Sequence, residues 1–325
     1  MSLTRDELAG LYKHRQEALE ELKTGARFGN ASTLHKDDFV SMSDDVVEIR
    51  KHASIGVEDL KSAGLTRSVS LSDTLIQYYD VNDFEASVSM NGSNRQSQQT
   101  DYTPKYVPQP IYDAPWFIPY RQGGFSYKNA DGNREAGIAV ARKRDSVIFT
   151  GASNVLVNYE GTNQPLYGYI NHPKTLPYPT LSDWTNAANH DQIYKDVLGM
   201  VSELYNKGKT VMPGEAVLYV STDFWQPLQV DYSSAKGDRT ALERCMAIAE
   251  IGMIKPVPYL PSKTAVLVQL SPDTVQWAES MDITATAHQR TKAYENQNFT
   301  TMAAGALLIK TDRNGVTGIV YGTTA

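Results

Sequence analysis

Between residues 65 and 121 the chain loses the means to bury itself, and any fold proposed for it has to accommodate that stretch. Leu65 to Asp80 and Phe84 to Met90 partly alternate small polar with apolar residues, a strand pattern. Asn91-Gly92 follows, a pair that accepts positive φ without Cβ strain, and then Ser93 to Tyr102 is polar and Gln-rich with almost nothing to bury. The chain returns through Tyr106-Val107-Pro108-Gln109-Pro110-Ile111-Tyr112 and Ala114 to Arg121, rich in aromatic residues and in prolines. Proline lacks the ladder donor, so it suits edges or interrupted extended chain. The spacing predicts a long two-stranded flap. Fixing such a flap costs about 1–2 kcal/mol of backbone entropy per residue, so something must hold it. A neighbouring subunit, a ligand under a lid, and no partner at all are the three readings; intersubunit packing fits best.

The remainder is ordinary folded protein. The 325 residues are 41% hydrophobic and 21% charged, enough for one large domain or two modest ones. A net charge of -6 leaves a general duplex-binding surface unfavoured but permits a local basic patch. Cys245 is the sole cysteine, which excludes an intrachain disulfide and every thiolate-rich metal site. The six histidines, at 14, 35, 52, 172, 190 and 288, form no HExxH pair or cluster. No phosphate loop or nucleophile arrangement is recognisable. The start has no apolar leader and the chain no run of about 18 apolar residues, so it reads as cytosolic and soluble.

Thr4 and Glu7 have capping-box spacing, and Leu8, Leu11, Arg15, Ala18 and Leu22 share a face, which predicts a short amphipathic helix. Residues 24–64 are irregular and resemble an arm laid over something. Residues 133–149 read as a helix ended by Gly151, with Ile138, Ala141, Asp145 and Ile148 on one stripe and Arg142-Lys143-Arg144 beside it. That basic triplet reads as a solvated or salt-bridging face more readily than as a polyanion site. Leu166 to Pro173 is turn-rich, and its His172 is structural. Residues 190–207 place Ile193, Val197, Met200, Val201 and Leu204 on one side of a second helix, followed by the apolar strand Ala216 to Val220, buried on both faces. Short helices are expected near 221–231 and 239–250, the latter burying Cys245, and strands at 254–259, 264–270, 283–287, 299–310 and 315–321. The class is α+β.

In this order the segments resemble the major capsid proteins of tailed phages, the HK97-like fold shared with encapsulin shell proteins. The likeness rests on the arm, the extended loop, the helix closing on Asp145-Ser-Val-Ile-Phe-Thr-Gly151, the turn Leu166-Tyr-Gly-Tyr-Ile-Asn-His-Pro173, and the terminal strand Thr301 to Ile309. It implies an N-terminal arm and helix over 1–67, an extended loop over 68–121, a peripheral domain with spine helix over 122–180, a mainly axial domain over 181–280, and C-terminal strands over 281–325 that return to the peripheral domain. It implies a homo-oligomer of hexamers and pentamers in an icosahedral virion shell assembled in the host cytoplasm. Expected partners are a separate scaffolding protein, a portal protein, a cement protein in some shells, and packaged double-stranded DNA without base readout. No membrane, catalysis, cofactor or metal is implied. Candidate intersubunit contacts are Ser93, Arg95, Tyr102, Lys105, Tyr106 and Trp116 in the loop, and Arg142, Lys143 and Arg144 on the helix. Some relatives crosslink through a loop lysine; Lys105 is the formal counterpart, with no partner assigned. The alternatives are an encapsulin-type nanocompartment shell and, from a different class, a soluble enzyme with an aromatic lid.

Overall fold

The computed structural model describes residues 54–81, 102–119, 126–159, 162–186, 189–230, 239–290, 292, 295–312 and 315–324. The expected helix at 4–22, most of the arm, the flap tip with Ser93 and Arg95, and the turn at Arg313-Asn314 lie outside them. Helix α1 (Gly56–Ser62) and strand β1 (Thr66–Ser68) lead into β2 (Leu75–Val81), β3 (Tyr102–Pro108) and β4 (Ile111–Ile118). Helix α2 (Ser126–Thr150) and the hairpin β5 (Ala152–Tyr159) and β6 (Thr162–Leu166) follow, then β7 (Leu176–Tyr178) and α3 (His190–Asn206). The rest runs β8 (Ala216–Ser221), α4 (Thr222–Leu228), α5 (Ala241–Met246), β9 (Ile251–Val257), β10 (Thr264–Gln269), β11 (Val275–Ala287), β12 (Gln297–Ile309) and β13 (Ile319–Thr323).

The chain divides into two units, one holding residues 113–140 and 283–302 and the other holding 51–112, 141–282 and 303–325; α2, β11 and β12 pass through both. In the larger unit a five-stranded sheet has the order β7-β13-β10-β8-β9. Its central strands β8 and β10 are buried on both faces, as their unbroken apolar sequence predicts. One face, with Leu218, Val220 and Leu267, packs on Ile193, Val197, Met200, Val201 and Leu204 of α3. Trp184 closes this core and donates from its indole N–H to the buried Asp196 carboxylate at 2.9 Å, so its one polar atom is satisfied. Cys245 is fully buried here, and burial pushes its thiol up to about 12, the inert state expected from sequence. The helix expected over 239–250 is shorter, ending at Met246 where the chain turns into β9.

The opposite face carries Tyr219, whose ring meets Phe149 of α2 edge-on at 5.0 Å and stacks with Tyr169 at 6.2 Å. The turn holding Tyr169 also caps α2. Gly151 ends the helix at φ +71°, while Tyr169 N–H and Ile170 N–H donate to the carbonyls of Ile148 and Phe149 at 2.9 and 3.0 Å. Asn171 Oδ1 accepts from Gly168 N–H at 2.6 Å, fixing the turn. Gly168 lies so close to the end of α2 that an added Cβ would come within 2.7 Å of the Val147 and Ile148 carbonyl oxygens, which accounts for glycine there.

A second sheet has the order β1-β11-β12-β4. Ile111–Ile118, expected to continue the flap, instead forms the edge of this sheet, where Pro115 costs no ladder bond. β11 begins at Val275, well before the expected strand at 283.

Candidate assembly surface

Four consecutive residues of α2 have opposite fates. Arg142 and Lys143 are exposed, whereas Arg144 and Asp145 are fully buried. At about 100° per residue, a helix whose apolar stripe contains Ile148 and Ala141 turns positions 144 and 145 inward and leaves 142 and 143 outside. Arg144, grouped with the other two by sequence, is thus packed inside its own subunit and is unsuited to contact a neighbour. Its guanidinium lies over the Trp277 ring at 5.7 Å and faces Glu279 at 3.8 Å and Asp282 at 4.0 Å. Lys61 of α1 joins them, 2.7 Å from Glu279.

Asp145 performs a task for another helix. The residue preceding α1, Ile55, has no capping side chain, and the amides at that end need acceptors. Asp145 supplies them: Ser54 Oγ donates at 2.8 Å, Gly56 N–H at 3.3 Å, and Ile55 N–H also donates to this carboxylate. Burial raises the Asp145 pKa, opposed by the Ile55 and Ser54 hydrogen bonds and by the Arg144 charge. Asp59 fastens the other side of α1, accepting from Tyr219 Oη at 2.8 Å and Lys255 Nζ at 2.5 Å. Burial is also the main cause of the raised Tyr219 pKa. Ser54 and the first turn of α1 are therefore clamped to α2. The sequence held one clue to Asp145, an acid on an otherwise apolar stripe; for Asp59 it held none.

At the root of the flap, β2 and β3 pair antiparallel with Ile76 opposite Val107, Gln77 opposite Tyr106 and Tyr78 opposite Lys105. Ile76 and Val107 face inward, and Tyr78 is pinned by donating to the Ile309 carbonyl at 2.9 Å. Lys105 is exposed; Tyr106 is half-buried, its hydroxyl 3.5 Å from Gln77 Nε2. Tyr102 begins β3 opposite Val81. Trp116 is engaged within its own unit: it stacks on Phe299 at 4.2 Å and donates to Thr301 Oγ1 at 3.3 Å. The flap root is thus a rigid base with an outward lysine, and the exposed pair on α2 is a second outward basic feature.

Among the described residues, no group of three or more His, Cys, Asp or Glu is placed to hold a metal, and no helix is long and apolar enough to cross a membrane. No curated protein matches the chain. A family described as a family of unknown function, DUF6260, matches residues 30–322. Among solved structures, the virus-like particle from Pyrococcus furiosus is similar over 87% of this chain and 98% of its own, with TM-score 0.61 at 13% identity. The capsid of Myoviridae phage XM1 covers 83% of this chain and 92% of its own, with TM-score 0.62 at 11% identity. The capsid of a native GTA particle covers 81% and 89%, with TM-score 0.54 at 10% identity. The fold is the HK97-like capsid fold expected from the order of segments.

Proposed function

We propose that this chain, which belongs to the family of unknown function DUF6260, is a shell-forming protein, the major capsid protein of an icosahedral phage head. The observation that carries this reading is the end-to-end correspondence with capsid and virus-like-particle subunits, which spans more than four-fifths of each chain. Particular chemistry is not needed for such a role. A subunit that closes a shell needs a stable body and outward elements that meet identical copies, since small contacts repeated around a closed symmetry add up.

In this reading α2 and β12 belong to the peripheral domain, and α3 with β8, β9 and β10 to the axial domain that surrounds the five-fold and six-fold positions. The flap extends from the clamped β2–β3 root across a neighbour, which supplies the contacts that its polar sequence lacks at home. Double-stranded DNA is confined by the wall without base readout, consistent with a net charge of -6. A separate scaffolding protein and a portal complete the assembly.

The second reading is a nanocompartment shell, favoured by the likeness to the Pyrococcus furiosus particle at nearly the same TM-score as the phage capsid. Negative-stain microscopy and mass photometry of the purified chain, alone and with a scaffold candidate, test both. Closed angular shells support the capsid role, and their nucleic acid or protein content separates the two readings. A chain that stays monomeric or dimeric in every condition contradicts both.

A further inference from the structure

The larger unit holds a polar cavity of about 560 Å³, far more space than a single water needs. The loop after α3, the end of β10, the turn into β11 and the residues that follow β12 form its wall, and Tyr79 of β2 borders it. Gln269 is only 6% exposed and yet lines this space. Its Nε2 donates to the Thr210 carbonyl at 3.0 Å and to Glu215 Oε2 at 3.2 Å. A carbonyl oxygen can only accept, so the Thr210 bond fixes which end of the amide is nitrogen. Oε1 is then the other end, and it has no donor among the described residues. A buried acceptor left in that state is costly and uncommon. Gly318 keeps room beside it, because an added Cβ there would come within 2.8 Å of Oε1.

The rest of the wall has the same surplus of acceptors. Both lysines are engaged: Lys209 Nζ lies 3.4 Å from Asp312 Oδ2, and Lys310 Nζ donates to the Pro272 carbonyl at 2.7 Å. Glu215 Oε2 is taken by Gln269 and by the Met212 N–H at 2.7 Å. Glu215 Oε1 and the carboxylate of the exposed Asp273 accept no hydrogen bond among the described residues. Three carboxylates therefore stand against two ammonium groups, and the wall begins just past the C-terminus of α3, the negative end of that helix's dipole. A ligand that fits has to bring hydrogen-bond donors and positive charge.

We propose that this cavity binds a small organic cation rich in N–H donors, of the primary-ammonium or guanidinium class. The site goes beyond the shell-forming reading and does not rest on it, since binding is read on the purified chain whether or not shells form. The competing occupant is the guanidinium of the chain's own Arg313, which follows Asp312 in sequence and lies outside the described residues.

Calorimetric titration of the full-length chain with putrescine and with methylguanidinium tests it. Saturable binding at one site per chain is expected, with Kd of about 1 mM or tighter. Tetramethylammonium, which has the charge but no N–H, should bind at least about tenfold more weakly. Glu215→Gln and Asp273→Asn remove charge from the wall and leave Gln269 in place, and each should weaken binding about two- to fivefold. Gln269→Leu should weaken it at least about tenfold, with an unchanged far-UV circular dichroism spectrum to show that the variant folds. If that variant does not fold, the two carboxylate variants and the tetramethylammonium comparison decide.

No saturable binding by the unaltered chain would overturn the proposal. Binding that appears only in Arg313→Ala would overturn it as well, by assigning the cavity to the chain's own side chain. Equal affinity for tetramethylammonium would reduce the interaction to charge attraction, and affinity unchanged in every wall variant would place it elsewhere on the molecule; each result removes the assignment.

Discussion

The five-stranded layer and the seam where α1, α2 and β11 meet are both buried, yet they are held by different chemistry. The layer is apolar along β8 and β10, and the indole N–H of Trp184 finds its acceptor only twelve residues away, on Asp196. The seam buries Arg144, Asp145 and Asp59 and sets against them groups drawn from distant parts of the chain: Glu279 and Asp282 at ion-pair distance from Arg144, Ser54 on Asp145, and Tyr219 and Lys255 on Asp59. Apolar packing is non-directional and tolerates swaps that conserve volume, whereas a buried charge depends on particular partners. The difference predicts where the molecule is robust and where a single change is felt.

The largest effect is expected in the layer. Trp184→Ala removes a fully buried ring and one of the donors to the Asp196 carboxylate, which keeps the Ser182 N–H, and should cost about 3–5 kcal/mol in urea unfolding. Next, Arg144→Ala should cost about 3 kcal/mol, because it empties a packed site and takes the buried guanidinium away from Glu279 and Asp282, while Arg142→Ala two positions away should change stability by less than about 0.5 kcal/mol. Equal effects at these two positions would erase the contrast between the two sides of α2. Gly151→Ala should cost about 2 kcal/mol, since φ is +71° and the new Cβ would sit 2.3 Å from the Asn171 amide.

A pH series sharpens the comparison further. Burial holds the Asp145 pKa above its unfolded value of 3.8, so the protonated form is favoured more in the folded chain than in the unfolded one. The contribution of this group is therefore fully present below the unfolded pKa and is lost as pH rises through the folded pKa. Asn at this position can still accept from the Ile55 and Gly56 amides through Oδ1, and it can donate to Ser54 Oγ. Asp145→Asn should thus gain stability relative to the unaltered chain as pH rises from about 4 to 7. A constant difference across that range would show that the hydrogen bonds outweigh the burial penalty. The smallest effect belongs to Cys245: at pH 8 a soluble alkylating reagent should leave it unmodified in the folded protein and label it after denaturation.

The regions also differ in how far they could be read in advance. Helix α3 and strands β8 and β10 follow directly from spacing, because apolar residues recurring at 190–207 and running unbroken at 216–220 permit few structures. The end of α2 at Gly151 and the turn from Leu166 were equally legible, although not that one caps the other. Trp116 illustrates the limit. An aromatic residue in a proline-rich extended stretch reads as available to a partner, but its ring is taken by Phe299, which lies 183 residues further along the chain. The basic triplet shows the same limit at closer range: three adjacent cations look alike in sequence, and helix rotation together with Glu279 separates the third from the first two.

What the sequence determined by itself was the α+β class, helices α2 and α3, the buried central strands and the inert cysteine, because each depends on periodicity or composition within a short window. The tertiary structure decided which strand forms the sheet edge, that Asp145 caps a helix from another element, and which cations remain exposed. Those outcomes depend on groups 90 or more residues apart coming within hydrogen-bonding or ion-pairing distance, and no local pattern encodes that.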